Sequence, residues 1–244
     1  MITLRDLRTL RFRPPFWAWL LAGWAMLLFG YLGTWQLKKG EFKQEWRAHL
    51  AAQPPAPKAL SEGLAAPEEP AVEHVIAEGR YDGARTLLQD GQSHEGRPGY
   101  HVWTPFRLES GGLAIVDRGW IPLDPHGIEL AAIAAPAGPA RVKGYWRTLP
   151  RPGLRMSPGK GCDPAAAFPA LVLYPTADDL KCALGGPVMA GLLLLDPAEP
   201  AGYVRAWSDT GLPPERHYGY AVQWYALMAT AAILFVVLNL KREK

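Results

Sequence analysis

The chain has 244 residues, 49% hydrophobic and 20% charged, with a formal net charge of +3. Those averages suit a soluble domain, but residues 14–37 and 218–240 carry no charge at all. Each run exceeds the ~20 residues that cross a bilayer core, which argues against a purely soluble protein.

In chain order, residues 1–13 form a basic tail in which Arg5, Arg8, Arg11 and Arg13 face only Asp6. Residues 241–244 form a second, with Lys241, Arg242 and Lys244 against Glu243, so residues 38–216 are left with a net −2. Basic flanks favour the cytoplasmic side. Both termini are therefore expected in the cytoplasm and residues 38–216 across the membrane, simplest as the periplasm behind a bacterial inner membrane. No nucleic-acid partner is expected there. The first span, 14–37, is too long for a signal-peptide core. It runs into Gln-Leu-Lys-Lys rather than a small-x-small cleavage site, and reads as a retained anchor. Pro14-Pro15 suits its first turn. Phe16, Trp17 and Trp19 suit one interface, Tyr31 and Trp35 the other.

Beyond the span, Phe42, Trp46, His49 and Leu50 recur at helical spacing, so helix is expected through 41–52. Pro54, Pro55, Pro57, Pro67 and Pro70 then forbid regular helix, and residues 38–70 read as a helical extension followed by an extended linker. Residues 71–216 read as a β-rich domain of short apolar runs bounded by turn signals. Asp90-Gly91 and Ser110-Gly111-Gly112 are expected turns, the second joining "YHVWTPFRL" to "LAIVDRGWIP" as a hairpin. Short helices are expected at 127–135 and 176–184, the latter with Thr176 as N-cap and Asp179 completing a capping box. Strands are expected at 141–149, 188–195 and, at an edge, 203–207. The second span is 217–240. The fold class is an α+β membrane protein: two transmembrane helices flank an antiparallel, β-rich domain with short helices. A partly closed barrel or sandwich is expected, since antiparallel strands must manage their edges.

Few residues point to chemistry. Gly-x-Ser-x-Gly, His-Glu-x-x-His, P-loop and dinucleotide signatures are missing, so no catalytic residues are assigned and no enzyme is expected. Asp178-Asp179 reads as an acidic helix start. Cys162 and Cys182 fall where a disulfide is allowed, and a bridge or two separate thiols are both open. His49, His74, His94, His101 and His126 are scattered without metal-ligand spacing. His217 stands at the start of the second span, in "ERHYGYAVQWYAL". Tyr220, Ala221, Trp224 and Met228 share its side of a helix. A neutral imidazole beside an apolar wall suits an axial ligand of haem iron; interface anchoring accounts for the same residue types. Arg141, Lys143, Arg147, Arg151, Arg155 and Lys160 form a run without acids. It is either a dock for an acidic partner, lipid headgroups or porphyrin propionates, or a solvated face.

Three stretches occur in order: "LGTWQLKKGEFK", "GYHVWTPFRLESGGLAIVDRGWIP" and "HYGYAVQWYAL". Together they resemble the surfeit locus protein 1 family, from about Leu32 to Val237. Gly33, Trp35, Gln36 and Lys43 match the first-span motif, with Lys39 where the family often has arginine, a change that keeps the charge but loses a planar fork. Gly79 and Tyr81 match a Gly-x-Tyr element. Gly99, Tyr100, Thr104 and Pro105 match the next block, and Arg118, Gly119, Trp120 and Pro122 an Arg-Gly-Trp-x-Pro block. His217, Tyr220, Ala221, Gln223 and Trp224 match the second-span motif.

The resemblance implies an assembly factor for haem-copper cytochrome c oxidase. Such a factor binds haem a transiently, receives it from haem a synthase and helps place it in subunit I, with His217 as the iron's axial ligand. The alternative is a membrane scaffold that stabilises subunit I without touching haem. The implied cofactor site comprises His217, Trp224, Tyr220, Gln223, Trp35 and Gln36. Arg118, Trp120, Arg147 and Arg151 are expected to bind partners, and membrane lipids surround the spans. With both termini on one side, Gln36 and His217 fall at similar depth. An amide facing lipid would go unsatisfied, so "GTWQ" and "HYGYAVQW" are expected to be two walls of one site, with Gly33 permitting close approach of the helices.

Overall fold

The computed structural model describes residues 10–52, 56–124, 130–151, 167–200, 202–205, 207 and 212–242. Arg5, Arg8, Pro54, Pro55, His126, the first residues of the expected 127–135 helix, Arg155, Lys160 and Cys162 lie outside them. The chain divides into two compact units: Met1–Gln44 with Leu212–Lys244, and Glu45–Gly211.

The first unit is a helical pair closed by a short ribbon. Its long helix α1 spans Phe16–Ala51 and its second helix α3 Pro214–Asn239; both are long and apolar enough to cross a membrane. The 36 residues of α1 rise ~54 Å, well beyond a ~30 Å hydrocarbon core, so the helix runs on through the charged residues from Lys38, as the spacing of Phe42 and Trp46 predicts. Strand β1 (Leu10–Phe12) pairs antiparallel with β10 (Leu240–Arg242), Arg11 opposite Lys241. Beside this ribbon the rings of Phe12, Trp19 and Phe235 meet edge to face, their centroids 4.9–5.9 Å apart.

The second unit is built on a closed barrel. Its strands are β2 (Lys58–Ala59), β3 (Glu73–Tyr81), β4 (Leu87–His94), β5 (Arg97–Leu108), β6 (Leu113–Pro122), β7 (Pro139–Arg147), β8 (Ala170–Val172) and β9 (Leu192–Leu195), with helix α2 at Ala177–Leu184. Five of them close in the order β3-β7-β9-β6-β5, and β5 returns to β3. The closing seam pairs Gly79 with Leu108 and Tyr81 with Phe106. A Cβ at position 79 would lie 2.1 Å from the Arg107 carbonyl oxygen, so the Gly-x-Tyr element is where the barrel closes. The ring is mixed. β6 and β9 run parallel while its other pairs are antiparallel, because β9 reaches β6 by a crossover through β7 and α2 rather than by a hairpin.

Alternation along the strands sorts the apolar residues into two layers. Phe106, Leu108, Ala114, Val116, Val142, Trp146, Leu193 and Leu195 fill the barrel. Their neighbours Leu113, Ile115, Tyr145, Leu192 and Leu194 face outward, under Leu180 and Leu184 of α2 and the rings of Trp46 and Trp207. The run Leu192–Leu195 is thus buried on both faces, which is why it reads as unbroken leucine. The described part of the proline-bearing stretch, residues 56–70, holds no helix, and it is docked. Lys58 and Ala59 pair with Val75 and Ile76, and Leu60 packs into the barrel core. Prolines forbid helix there without preventing a leucine from plugging the barrel.

Three local expectations change. Asp90-Gly91 is not a turn: it sits inside β4, at a register shift between Gln89 and Gln92 that bulges the strand. The turn is Glu95-Gly96, whose φ of 50° and 77° suit a two-residue hairpin. The edge strand at 203–207 reduces to a single bridge from Val204 to Trp120, and β8 carried no periodic signal. By contrast, the β5–β6 hairpin forms as expected, and Thr176 caps α2 with Asp179 in a full capping box. Cys182, on α2, is disulfide-bonded; the sequence holds one other cysteine, Cys162.

One buried polar group ties β5 to β6 within the outer layer. The Asp117 carboxylate is 2% exposed. It accepts from Trp103 Nε1 at 3.0 Å and from the Gly119 amide at 3.0 Å, and lies 2.9 Å from His101 Nδ1. Burial alone would lower the His101 pKa; the charge and hydrogen bond of Asp117 together outweigh it, and the net shift is upward. The stabilisation is therefore full below the unfolded value of about 6.5 and is lost as pH rises through the folded value. Urea midpoints followed by tryptophan fluorescence should fall from about pH 6 to about pH 8 in the wild type and stay level in His101→Gln. The same slope in both proteins would show that His101 does not carry it.

Candidate functional site

Helices α1 and α3 pack antiparallel along a row of small residues. A Cβ at Gly33 would lie 2.8 Å from the Tyr225 ring, one at Gly40 2.7 Å from the Tyr218 ring, and one at Gly30 3.4 Å from Met228 Sδ. Seven residues separate Gly33 from Gly40, and seven separate Tyr218 from Tyr225, so each step along α1 is matched by an equal step back along α3. Small residues let the backbones approach where lipid offers no hydrophobic drive. Gly33 therefore does what the sequence suggests, and Gly40 repeats it one heptad on.

Polar groups follow the same seam. Thr34 Oγ1 donates to the Gly30 carbonyl at 2.8 Å and lies 3.1 Å from the Tyr225 hydroxyl. Tyr218 Oη donates to Gln44 Oε1 at 2.7 Å. Gln36, which falls between Thr34 and Gln44 on α1, has its Oε1 2.7 Å from His217 Nδ1. Phe29 and Trp224 stack at 5.9 Å and 25°. Phe29 is seven residues before Gln36 and Trp224 seven after His217, so this ring pair occupies the same row one heptad further along the seam.

The predicted site residues thus divide. Gln36, His217 and Trp224 line one row, with Ala221 buried between them on α3. Trp35 is 45% exposed and Tyr220 39%, and Gln223 is also exposed. They lie on the outer surfaces of their helices, because neighbours on a helix point in different directions. Phe29, Gln44 and Tyr225 lie outside the "GTWQ" and "HYGYAVQW" walls, and Thr34 and Tyr218 lie within them with no role assigned from sequence. The heptad spacing shared by Gly33/Gly40 and Tyr218/Tyr225 was the signal that could have found them.

The four expected partner-binding residues divide as well. Arg118 is buried at 3%. Its guanidinium donates to the Ile133 and Ala134 carbonyls at 3.0 and 2.9 Å and lies over the Tyr81 and Tyr203 rings at 5.7 and 5.1 Å. Burial pushes the Tyr81 hydroxyl up to about 12, against the pull of Arg118, so Tyr81 stays neutral beneath the cation. Trp120 is buried too, its ring 5.3 Å from that of His94. These two brace the barrel wall. Arg147 is largely covered: it pairs with Glu69 and lies over the Trp46 ring at 4.5 Å. Burial lowers its pKa only to about 10, which leaves it charged at neutral pH. Trp46 in turn donates from Nε1 to the Trp207 carbonyl at 2.9 Å. Arg151 is exposed.

A model of the SURF1 family matches residues 24–229. The chain belongs to the SURF1 family. The match takes in the whole barrel and the greater part of each apolar helix. No curated protein matches the chain closely. The SURF1 family acts in the assembly of cytochrome oxidase, and it is a family of assembly factors rather than enzymes. Its motif residues in this chain do two kinds of work. Gly79, Tyr81, Arg118 and Trp120 close and brace the barrel, whereas Gly33, Gln36, His217 and Trp224 form the helix seam.

The seam makes a specific demand on its glycines. Replacing Gly33 and Gly40 together by valine should destabilise the helical pair by about 1–3 kcal/mol, the usual cost of overpacking a fitted contact. Gly23→Val, at a position with nothing within 4 Å, should leave the thermal transition in detergent where it is. Equal transitions for all three proteins would contradict the packing described.

Proposed function

We propose that this SURF1-family chain is a two-pass protein of the bacterial inner membrane, with both termini in the cytoplasm and the barrel in the periplasm. It binds haem a transiently at His217, having received it from haem a synthase, and aids its insertion into subunit I of cytochrome c oxidase. The observation that carries this reading is the contact between Gln36 and His217 at 2.7 Å. With Nδ1 engaged, Nε2 is the imidazole's remaining donor.

The donor set suits a haem better than a bare ion. Among the described residues no three His, Cys, Asp or Glu side chains converge to hold a metal. A haem brings its own equatorial nitrogens and asks the protein for an axial one; bound here, it would supply the iron and a flat apolar face. The chain supplies the rest: His217 as ligand, and the stacked Phe29 and Trp224 as aromatic surface in the same row. Exposed Trp35, Tyr220 and Gln223 suit contact with the cofactor's rim or with subunit I. Their exposure also favours a second reading, in which the helical pair docks subunit I and never holds haem.

Co-expression with the haem a synthesis enzymes, purification and visible spectra separate the two. His217→Ala should retain about tenfold less haem a or lower, as loss of a first ligand exceeds the 10–100-fold cost of losing its outer partner. An unchanged haem a complement in the variant would remove His217 as the ligand, whereas wild-type protein that carries no haem a while subunit I still co-purifies would leave the scaffold reading standing.

A further inference from the structure

A neutral imidazole carries one N–H and one lone pair, and which nitrogen holds which is set by the bond the other makes. An amide oxygen only accepts. Gln36 Oε1, 2.7 Å from His217 Nδ1, therefore calls for the proton on Nδ1 and leaves the lone pair on Nε2. We propose that Gln36 is a positioning residue: it holds His217 in its Nδ1–H tautomer and so presents Nε2 as the coordinating atom. This deepens the haem reading above and rests on it for the ligand's identity.

The surroundings of the pair support more than a chance contact. Gly33 lies three residues before Gln36 and Gly40 four after it, both on the face that meets α3, and each is closed by a tyrosine ring. The α1 backbone is thus fixed on both sides of the amide. On α3, Tyr218 adjoins His217 and is itself tied to Gln44 at 2.7 Å. The clamp fixes the point from which the amide reaches, and its bond to Nδ1 ties the imidazole to that point. Outer partners of metal-bound histidines commonly act in this way, fixing tautomer and ring plane and raising the basicity of the ligand. An amide does so without adding charge beside the membrane, where a carboxylate would be costly.

The test uses full-length protein with 15N-labelled histidine, in lipid nanodiscs and free of haem. His217→Ala identifies the His217 signals. Above the imidazole titration the wild type should show the Nδ1–H form about fivefold over the other, the ratio one net hydrogen bond supports. Gln36→Leu should lose that preference, and Gln36→Glu should restore it. Loaded with haem, Gln36→Leu should bind about 10–100-fold more weakly and show a higher midpoint potential, because a less basic imidazole stabilises ferric iron less. Wild-type His217 with its proton on Nε2 would overturn the proposal without need of any variant, as would a Leu variant with an unchanged tautomer. The outcome also separates this inference from the haem reading. A wild type with the Nδ1–H tautomer that retains no haem supports the role of Gln36 and refutes the haem site. A haem complement lost in His217→Ala, with the tautomer indifferent to Gln36, does the reverse.

Discussion

A polar side chain on a membrane helix has no water to fall back on, so its partner must come from protein. The helical pair is organised around that constraint. Gln36 and Thr34 on α1 meet His217 and Tyr225 on α3, and Gln44, past the charged residues from Lys38, adds a bond from Tyr218. Such bonds are worth about 0.6–2 kcal/mol apiece, too little to hold two helices alone. The glycines bring the backbones close enough for the bonds to form, and the tyrosine rings fill the space the glycines leave. Packing and polarity are therefore one device. It delivers a single imidazole, oriented, at the start of α3.

The barrel obeys a different rule. Its interior is mainly apolar, with Thr104 a buried exception, and two neighbouring charged residues of β6 fasten it. Asp117 gathers an imidazole, an indole and an amide. Arg118, next in sequence and pointing the other way, gathers two carbonyls and two phenol rings. Removing one partner of such a buried charge typically costs about 3–5 kcal/mol, more than most single apolar contacts. The Arg-Gly-Trp block is thus structural mortar.

Most of the architecture was legible because it rests on local signals. Charge-free runs gave the spans, a Ser-Gly-Gly turn gave the β5–β6 hairpin, and Thr176 with Asp179 gave the cap. The seam was legible by a depth argument, since Gln36 and His217 sit at matching distances from the same ends of their spans. Where local signals are shared between outcomes, the sequence misled. Asp-Gly serves a bulge as well as a turn, and the choice is made by the register of β5. The burial of Arg118 and Trp120 could not be read at all. Their partners, Ile133, Ala134 and Val204, are distant in sequence, so the residues look like a surface motif until the chain folds back. Trp35 and Gln36 show the limit at its finest: adjacent letters of one motif, one turned to the seam and the other away.

Strand β9 has a consequence for how this protein comes into being. It is the keystone of the ring, seated between β6 and β7, yet it lies about 70 residues beyond the end of β6 in a chain made from the N-terminus. Until Leu192–Leu195 emerge, β6 and β7 each present a bare, hydrophobic strand edge of the kind that recruits neighbouring chains. The ring therefore cannot be completed piecemeal as the ribosome works along the message. A nascent chain must shelter both open edges from the end of β7 at Arg147 until Leu192 is made, and four leucines end that exposure at once.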